Sequence, residues 1–232
     1  MKKTALLLAG AAALISLSPK VLAEGVTGLF ISLKVANVQA YKQWGETTQS
    51  TFQAHSCVSF RSGKLLGGQG TLEWGNSDHF SLMKCKSPVL VDLVDKGFIS
   101  KLSAITDDFN LIEGSLNSLS DKVPTEESEY LIKVSYFNNL NPKSRQNGLA
   151  TIDAIARKIK NGWIDDAILE PKASVGVVQP DNLTFLYYPK AGQGKSFRAN
   201  NPMLMNQIGS FNQAHIERFI YLGAQIKTGS MK

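Results

Sequence analysis

Three histidines, two cysteines and a scatter of aromatic rings are the side chains of this 232-residue chain best suited to chemistry. His55, His79 and His215 show no His-x-x-x-His spacing, and Cys57 and Cys85 form no Cys-x-x-Cys, so no metal site is predicted. His79 stands in an alternating run, with Ser81, Met83 and Cys85 on its own face and Phe80 and Leu82 on the other. An imidazole among small groups in a pocket can act as a general base near neutral pH, which makes His79 the candidate catalytic residue. The plainer alternative is a solvated ring near the open end of a hairpin. His215 takes an apolar position in a helical stripe, where a half-buried imidazole bonded to a neighbour is the commoner outcome. Together with Trp74, Tyr136, Tyr187 and Tyr188 it makes up the candidate ligand-binding set, a lining for an aromatic-rich cavity that would take an apolar small molecule. Simple packing is the bland alternative for these rings.

Other motifs point away from specific chemistry. The stretch from Pro189 to Ser196 resembles the tail of a phosphate-binding loop, but that pattern needs glycine where Pro189 stands. It reads as a flexible surface loop with Lys195 solvated. No Gly-x-Ser-x-Gly elbow occurs, and Asp107-Asp108 and Asp165-Asp166 fall at helix ends or turns, where solvated carboxylates are expected.

The composition, 43% apolar and 19% charged, is that of a globular chain rather than a disordered one. Residues 1–23 have the three regions of a secretory signal peptide: Lys2 and Lys3, an apolar stretch from Thr4 to Ser18, and Val21-Leu22-Ala23 before Glu24. That stretch is shorter than a spanning helix needs, and no second apolar span follows, so the mature chain is expected to be periplasmic or secreted with no transmembrane segment. Loss of the segment removes Lys2, Lys3 and Lys20 and no acid, which lowers the formal charge from +6 to +3. No basic block interleaved with aromatics remains, which excludes nucleic acid as a partner. In an oxidising compartment an even pair of cysteines permits one disulfide.

The elements that must position these residues repeat in two halves. Strand-like runs open each half at Gly28–Val35 and Tyr130–Phe137. Asn37 and Asn141 then stand as helix caps, the second followed by Pro142. Apolar stripes follow, Val38, Tyr41, Trp44, Thr48 and Phe52 in one half, and Leu149, Ile152, Ile155, Ile159 and Trp163 in the other. Two further strands come next: Val58–Leu66 and about Thr71–Cys85, turning at Gly67–Gly70, then about Lys172–Val178 and Leu183–Tyr188. Second helices begin at Ser87-Pro88 and Asn201-Pro202, and closing strands are read at Leu111–Leu116 and Ile220–Ile226. The expectation is an α+β chain of two tandem βαββαβ units, at 24–119 and 129–232, joined by an acidic linker at 120–128. A hairpin centred near Thr71 sets Cys57 opposite Cys85, within reach of a disulfide.

This layout resembles the dimeric α+β barrel superfamily in a tandem, single-chain form, by element order rather than by any family motif. The resemblance implies two four-stranded antiparallel sheets closed into one ferredoxin-like barrel, as a monomer or homodimer. The superfamily includes cofactor-independent monooxygenases, small isomerases and haem proteins similar to chlorite dismutase. Those haem members carry an axial His on the first helix of the second half, and here Pro142–Gly162 contains none. The sequence reading is therefore a barrel that binds a small apolar molecule, with cofactor-independent monooxygenase- or isomerase-like chemistry where it is catalytic. A non-catalytic envelope interaction protein and a haem- or metal-binding barrel are the alternatives.

Overall fold

A computed structural model describes residues 26–227, so the signal-peptide reading of 1–23 lies outside the described residues. Eight antiparallel strands close into one barrel in the order β1-β3-β2-β8-β5-β7-β6-β4. They are β1 (Thr27–Leu33), β2 (Val58–Gly70), β3 (His79–Cys85), β4 (Phe109–Ser118), β5 (Glu129–Phe137), β6 (Ile164–Val175), β7 (Asn182–Tyr188) and β8 (Ile216–Ile226). Six helices lie outside: α1 (Val38–Ala54), α2 (Leu90–Asp95), α3 (Phe98–Ser103), α4 (Pro142–Ala156), α5 (Gln193–Asn200) and α6 (Pro202–His215). One chain thus supplies all eight strands, and a closed barrel leaves no edge open to a stray strand.

Alternation along the strands divides three cores. Phe30, Phe80, Leu82, Ile132, Phe185 and Leu222 point inward and meet in the barrel interior. The outward residues of β1 and β4, Leu29, Ile31 and Leu111, pack against Trp44 of α1 and Leu93 and Leu102 of α2 and α3. On the second side Leu186 and Tyr188 of β7 pack under Ile152, Phe197, Ile208 and Phe211. Asn37 and Asn141 cap α1 and α4 as their positions foretold, accepting from Ala40 N at 3.0 Å and Ser144 N at 2.9 Å. α2 has no side-chain cap of its own; Glu113 of β4, buried, accepts from Val89 N and Leu90 N at 2.8 to 3.1 Å. A carboxylate there meets both the orphan donors and the positive end of the helix.

Cys57 and Cys85 form the expected disulfide across β2 and β3, one step beyond the Val58–Lys84 pair. The hairpin itself differs from the sequence reading. Gly67–Gly70 is no turn: β2 runs through it, paired with β8 from Gly63 to Gly70 across a bulge between Leu65 and Gly67, while its pairing with β3 ends at Lys64. β3 starts only at His79, because 71–78 form the connecting loop. The single helix expected to begin at Ser87-Pro88 breaks into α2 and α3 at Gly97, whose φ of 71° is left-handed. The buried face is consequently Leu90, Leu93, Phe98 and Leu102, and Val91 and Val94 are exposed. α4 ends at Ala156, short of Ile159 and Trp163, and 193–200 form a helix where a loop was expected, with Lys195 exposed as read.

Candidate functional site

The barrel interior is filled. Phe80, Tyr130 and Tyr187 form a stack with centroids 6.0 and 6.4 Å apart, and Phe30 lies 5.9 Å from Phe185. Trp74 enters from the 71–78 loop and donates its indole N–H to Ser32 Oγ at 3.1 Å. Tyr136 donates to Val178 O at 2.6 Å. Trp74, Tyr136 and Tyr187 therefore act as core, and Tyr188, facing outward under α5 with its ring 5.8 Å from Phe197, does not join them. The four rings do not converge on one cavity.

The histidines separate as well. His79 faces outward like its neighbour Ser81, with its side chain 37% exposed and Nδ1 2.6 Å from Asp78 Oδ1. Asp78 also accepts from Val35 N, and its bonds to His79 and Val35 lower its carboxyl against the opposing effect of desolvation. The ring is part-exposed, as in the solvated alternative, and lines neither the cavity at Asp165 nor that at Gly223. His215 ends α6, with its ring 5.1 Å from Phe211 and Nε2 3.4 Å from Ser144 Oγ. His55 joins Ser87 and Asp92. Among the described residues no group of three or more His, Cys, Asp or Glu is placed to hold a metal ion.

A haem held through an axial His on α4, as in the haem members that the layout resembles, does not fit these residues. α4 lacks His, its Ile152 is fully buried, and Leu186, Tyr188, Phe197 and Phe211 occupy the space between α4, α6 and the sheet.

Asp107 is exposed as the sequence reading expected, but Asp165 and Asp166 lie within β6 and depart from it. Asp166 is fully buried at one end of the barrel, where Arg61 donates to both its oxygens at 2.7 and 2.8 Å and Tyr130 Oη donates at 2.8 Å. This fork joins β2 to β6 and so ties the two halves together. Asp165, beside it, borders a cavity of about 190 Å³ with Asp153, Arg157 and Trp163, and desolvation raises its carboxyl to about 7. Asp108 holds the loop before β3 through Ser77 Oγ and Asn76 N.

A cavity of about 650 Å³ lies outside the barrel, where β2, β8 and β5 run side by side. Strand register builds it in rows. Gly67, Gly223 and Leu131 are cross-strand neighbours and form the floor; Gln69, Tyr221 and Lys133 form the next row. A Cβ on Gly67 would meet nothing within 4 Å, and one on Gly223 would meet only Gly67 O at 3.9 Å, so the missing side chains are the space. Leu66, 64% exposed, and Tyr221 stand at its sides. Glu126, Glu127 and Glu129 and the α5 residue Arg198 supply the charge. Glu129 accepts from Gly194 N at 3.1 Å and lies 3.9 Å from Arg198.

Behind Tyr221 is a buried polar chain. Lys133 Nζ donates to Asn212 Oδ1 at 3.1 Å, and Asn212 Nδ2 donates to Tyr221 Oη at 3.5 Å. Burial pushes the Lys133 ammonium down to about 7 and the Tyr221 hydroxyl well up from its usual value. Neither residue was singled out in the sequence. The one available signal was a lysine in the run Ile132-Lys133-Val134, which alternation alone assigns to the outer face, with nothing to show that α6 would cover it.

No family model matches the chain, and no curated protein matches it. Solved structures do. An anthrone oxidase-like protein is similar over 89% of this chain and 94% of its own, with a TM-score of 0.55 and 11% identity. A chlorite dismutase variant from Candidatus Nitrospira defluvii covers 88% and 92% at a TM-score of 0.53 and 11% identity. A candidate monooxygenase from Fusobacterium nucleatum covers 89% and 94% at 0.51 and 10%. At such identities the likeness is one of fold, and that fold is the dimeric α+β barrel, here closed within a single chain.

Proposed function

We infer that this chain is an exported barrel protein that binds a small, mostly apolar molecule in the groove over β2, β8 and β5. The observation that carries the reading is the paired-glycine floor. Two neighbouring strands give up their side chains at Gly67 and Gly223, leaving about 650 Å³ in the size range of ligand pockets. The reading is one of binding: His79, the residue expected to move protons, is not among the residues lining the groove, and the monooxygenase- or isomerase-like chemistry of the sequence reading has no group assigned to it here. Export is supported by the Lys2-Lys3 and apolar pattern before Glu24 and by the disulfide. A tandem origin of the two halves is supported by their matching strand orders, β4-β1-β3-β2 and β8-β5-β7-β6, and by the paired Asn caps.

Native mass spectrometry of the exported form, purified from its own host without refolding, tests the reading when wild type is compared with Gly223→Leu. Gly223 has ordinary backbone geometry and open space before it, so leucine fills the groove and leaves the fold intact. A bound mass on wild type that is lost from the variant is expected. A bare wild type, or equal loading of both, overturns the assignment.

A further inference from the structure

A lysine shielded from water is costly to keep and needs a reason. Lys133 is 4% exposed, and the groups facing it are Asn212 of α6, Phe219 and Tyr221 of β8, and Thr184, its cross-strand partner on β7. His215, also on α6, turns to Ser144 of α4 instead. No carboxylate is among these groups, so the ammonium is not held there by an ion pair. What Lys133 does is claim the Asn212 oxygen. A side-chain amide has one oxygen and one NH2 group. With its oxygen committed to an ammonium, Asn212 must present its NH2 to Tyr221, and Tyr221 Oη must then accept. The hydroxyl proton is left to donate elsewhere, and the Tyr221 side chain borders the groove.

We propose that Lys133 is a positioning residue that, through Asn212, fixes Tyr221 as a hydrogen-bond donor to the groove's ligand, so that the groove selects a neutral apolar molecule bearing an acceptor oxygen over a carboxylate. The proposal rests on the groove reading above. Charge supports its second half: three glutamates line the groove against one arginine, itself turned to Glu129, so a carboxylate ligand meets repulsion where a ketone does not.

The test uses the full exported chain and displacement of the neutral dye Nile red by 2-decanone and by decanoate. In wild type, 2-decanone binds at least about tenfold more tightly than decanoate. Tyr221→Phe weakens 2-decanone about five- to tenfold, the worth of one hydrogen bond, once each displacement is referred to that variant's own Nile red affinity. Lys133→Met weakens 2-decanone by a similar factor. A lysine that only fills space would leave ketone affinity independent of its charge. On the proposal, wild-type ketone affinity instead falls between pH 6 and pH 9 as the Lys133 proton is lost, and the Lys133→Met affinity is flat over that range. Equal affinity for ketone and carboxylate, an unchanged Tyr221→Phe, or a flat wild-type pH profile overturns the proposal and leaves the groove standing. Nile red that fails to bind, or that binds Gly223→Leu as tightly as wild type, overturns the groove reading and the proposal with it.

Discussion

Replacing Lys133 by methionine should make the folded chain more stable in acid than in alkali relative to wild type, and the size of that difference follows from burial. The ammonium sits at about 7 in the fold against 10.5 for a free lysine, with desolvation as the cause. Below pH 7 both folded and unfolded chains carry the proton, so the full penalty applies. At about 1.4 kcal/mol per pH unit this is at most about 5 kcal/mol. Between pH 7 and 10.5 the unfolded chain holds a proton that the folded chain has released, so wild-type stability climbs with pH by up to about 1.4 kcal/mol per unit. Methionine removes both the penalty and the climb. It also strips Asn212 Oδ1 of its donor, worth about 1–3 kcal/mol against the variant. The net expectation is a gain of about 2–4 kcal/mol at pH 6 that shrinks by about 3 kcal/mol by pH 9. Urea unfolding of both proteins at the two pH values measures this, and every other titrating group cancels in the difference. A variant-minus-wild-type difference that holds within about 0.5 kcal/mol from pH 6 to pH 9 would refute the reasoning, because Lys133 would then be charged and satisfied in the fold.

Three further outcomes are expected. Reducing the Cys57–Cys85 bond, which closes a loop of sequence separation 28, frees unfolded-chain entropy worth about 3–4 kcal/mol; the melting temperature should fall by roughly 7–14 °C, as read by circular dichroism with and without reductant. Arg61→Met leaves the fully buried Asp166 carboxylate with only the Tyr130 hydroxyl, at an expected loss of about 3–5 kcal/mol in urea unfolding, and a loss below about 1 kcal/mol would show that the fork does not hold the halves together. Glu113→Gln gives the α2 terminus a neutral cap that can accept with only one oxygen, and should cost about 1–2 kcal/mol while hydrogen exchange speeds at Val89 and Leu90.

The sequence carried the order of the elements well because each is written locally. Asn37 and Asn141 mark helix starts by capping, and apolar runs mark β1, β5 and β7. The disulfide was legible for the same reason, since hairpin register is short-range. What was not legible depended on partners far along the chain. Gly67–Gly70 has the composition of a turn and becomes strand only because β8 is there to receive it. Phe98 and Leu102 continue a helical stripe that Gly97 interrupts, and one left-handed residue outweighs the periodicity around it. The candidate site was hidden most completely. Gly67, Leu131 and Gly223 come from three strands and become neighbours only through the β2–β8 and β8–β5 pairings.

That arrangement also explains why the expected aromatic cavity is not where the barrel would suggest. An eight-stranded barrel has an interior just wide enough for side chains to fill, and Trp74, Tyr136 and Tyr187, taken with Phe30, Phe80 and Phe185, fill it. Open space is found instead on the outer face, most of which lies under α1–α3 on one side and α4–α6 on the other. The seam where β2 of one half meets β8 of the other falls between those two helical layers, and it is there that both strands carry glycine. A single glycine would leave a dimple. Two side by side, backed by Leu131 and bounded by Tyr221, leave a groove, and the helices that do not cover it leave it open to solvent. The β2–β8 pairing that helps close the barrel is therefore also what creates the groove.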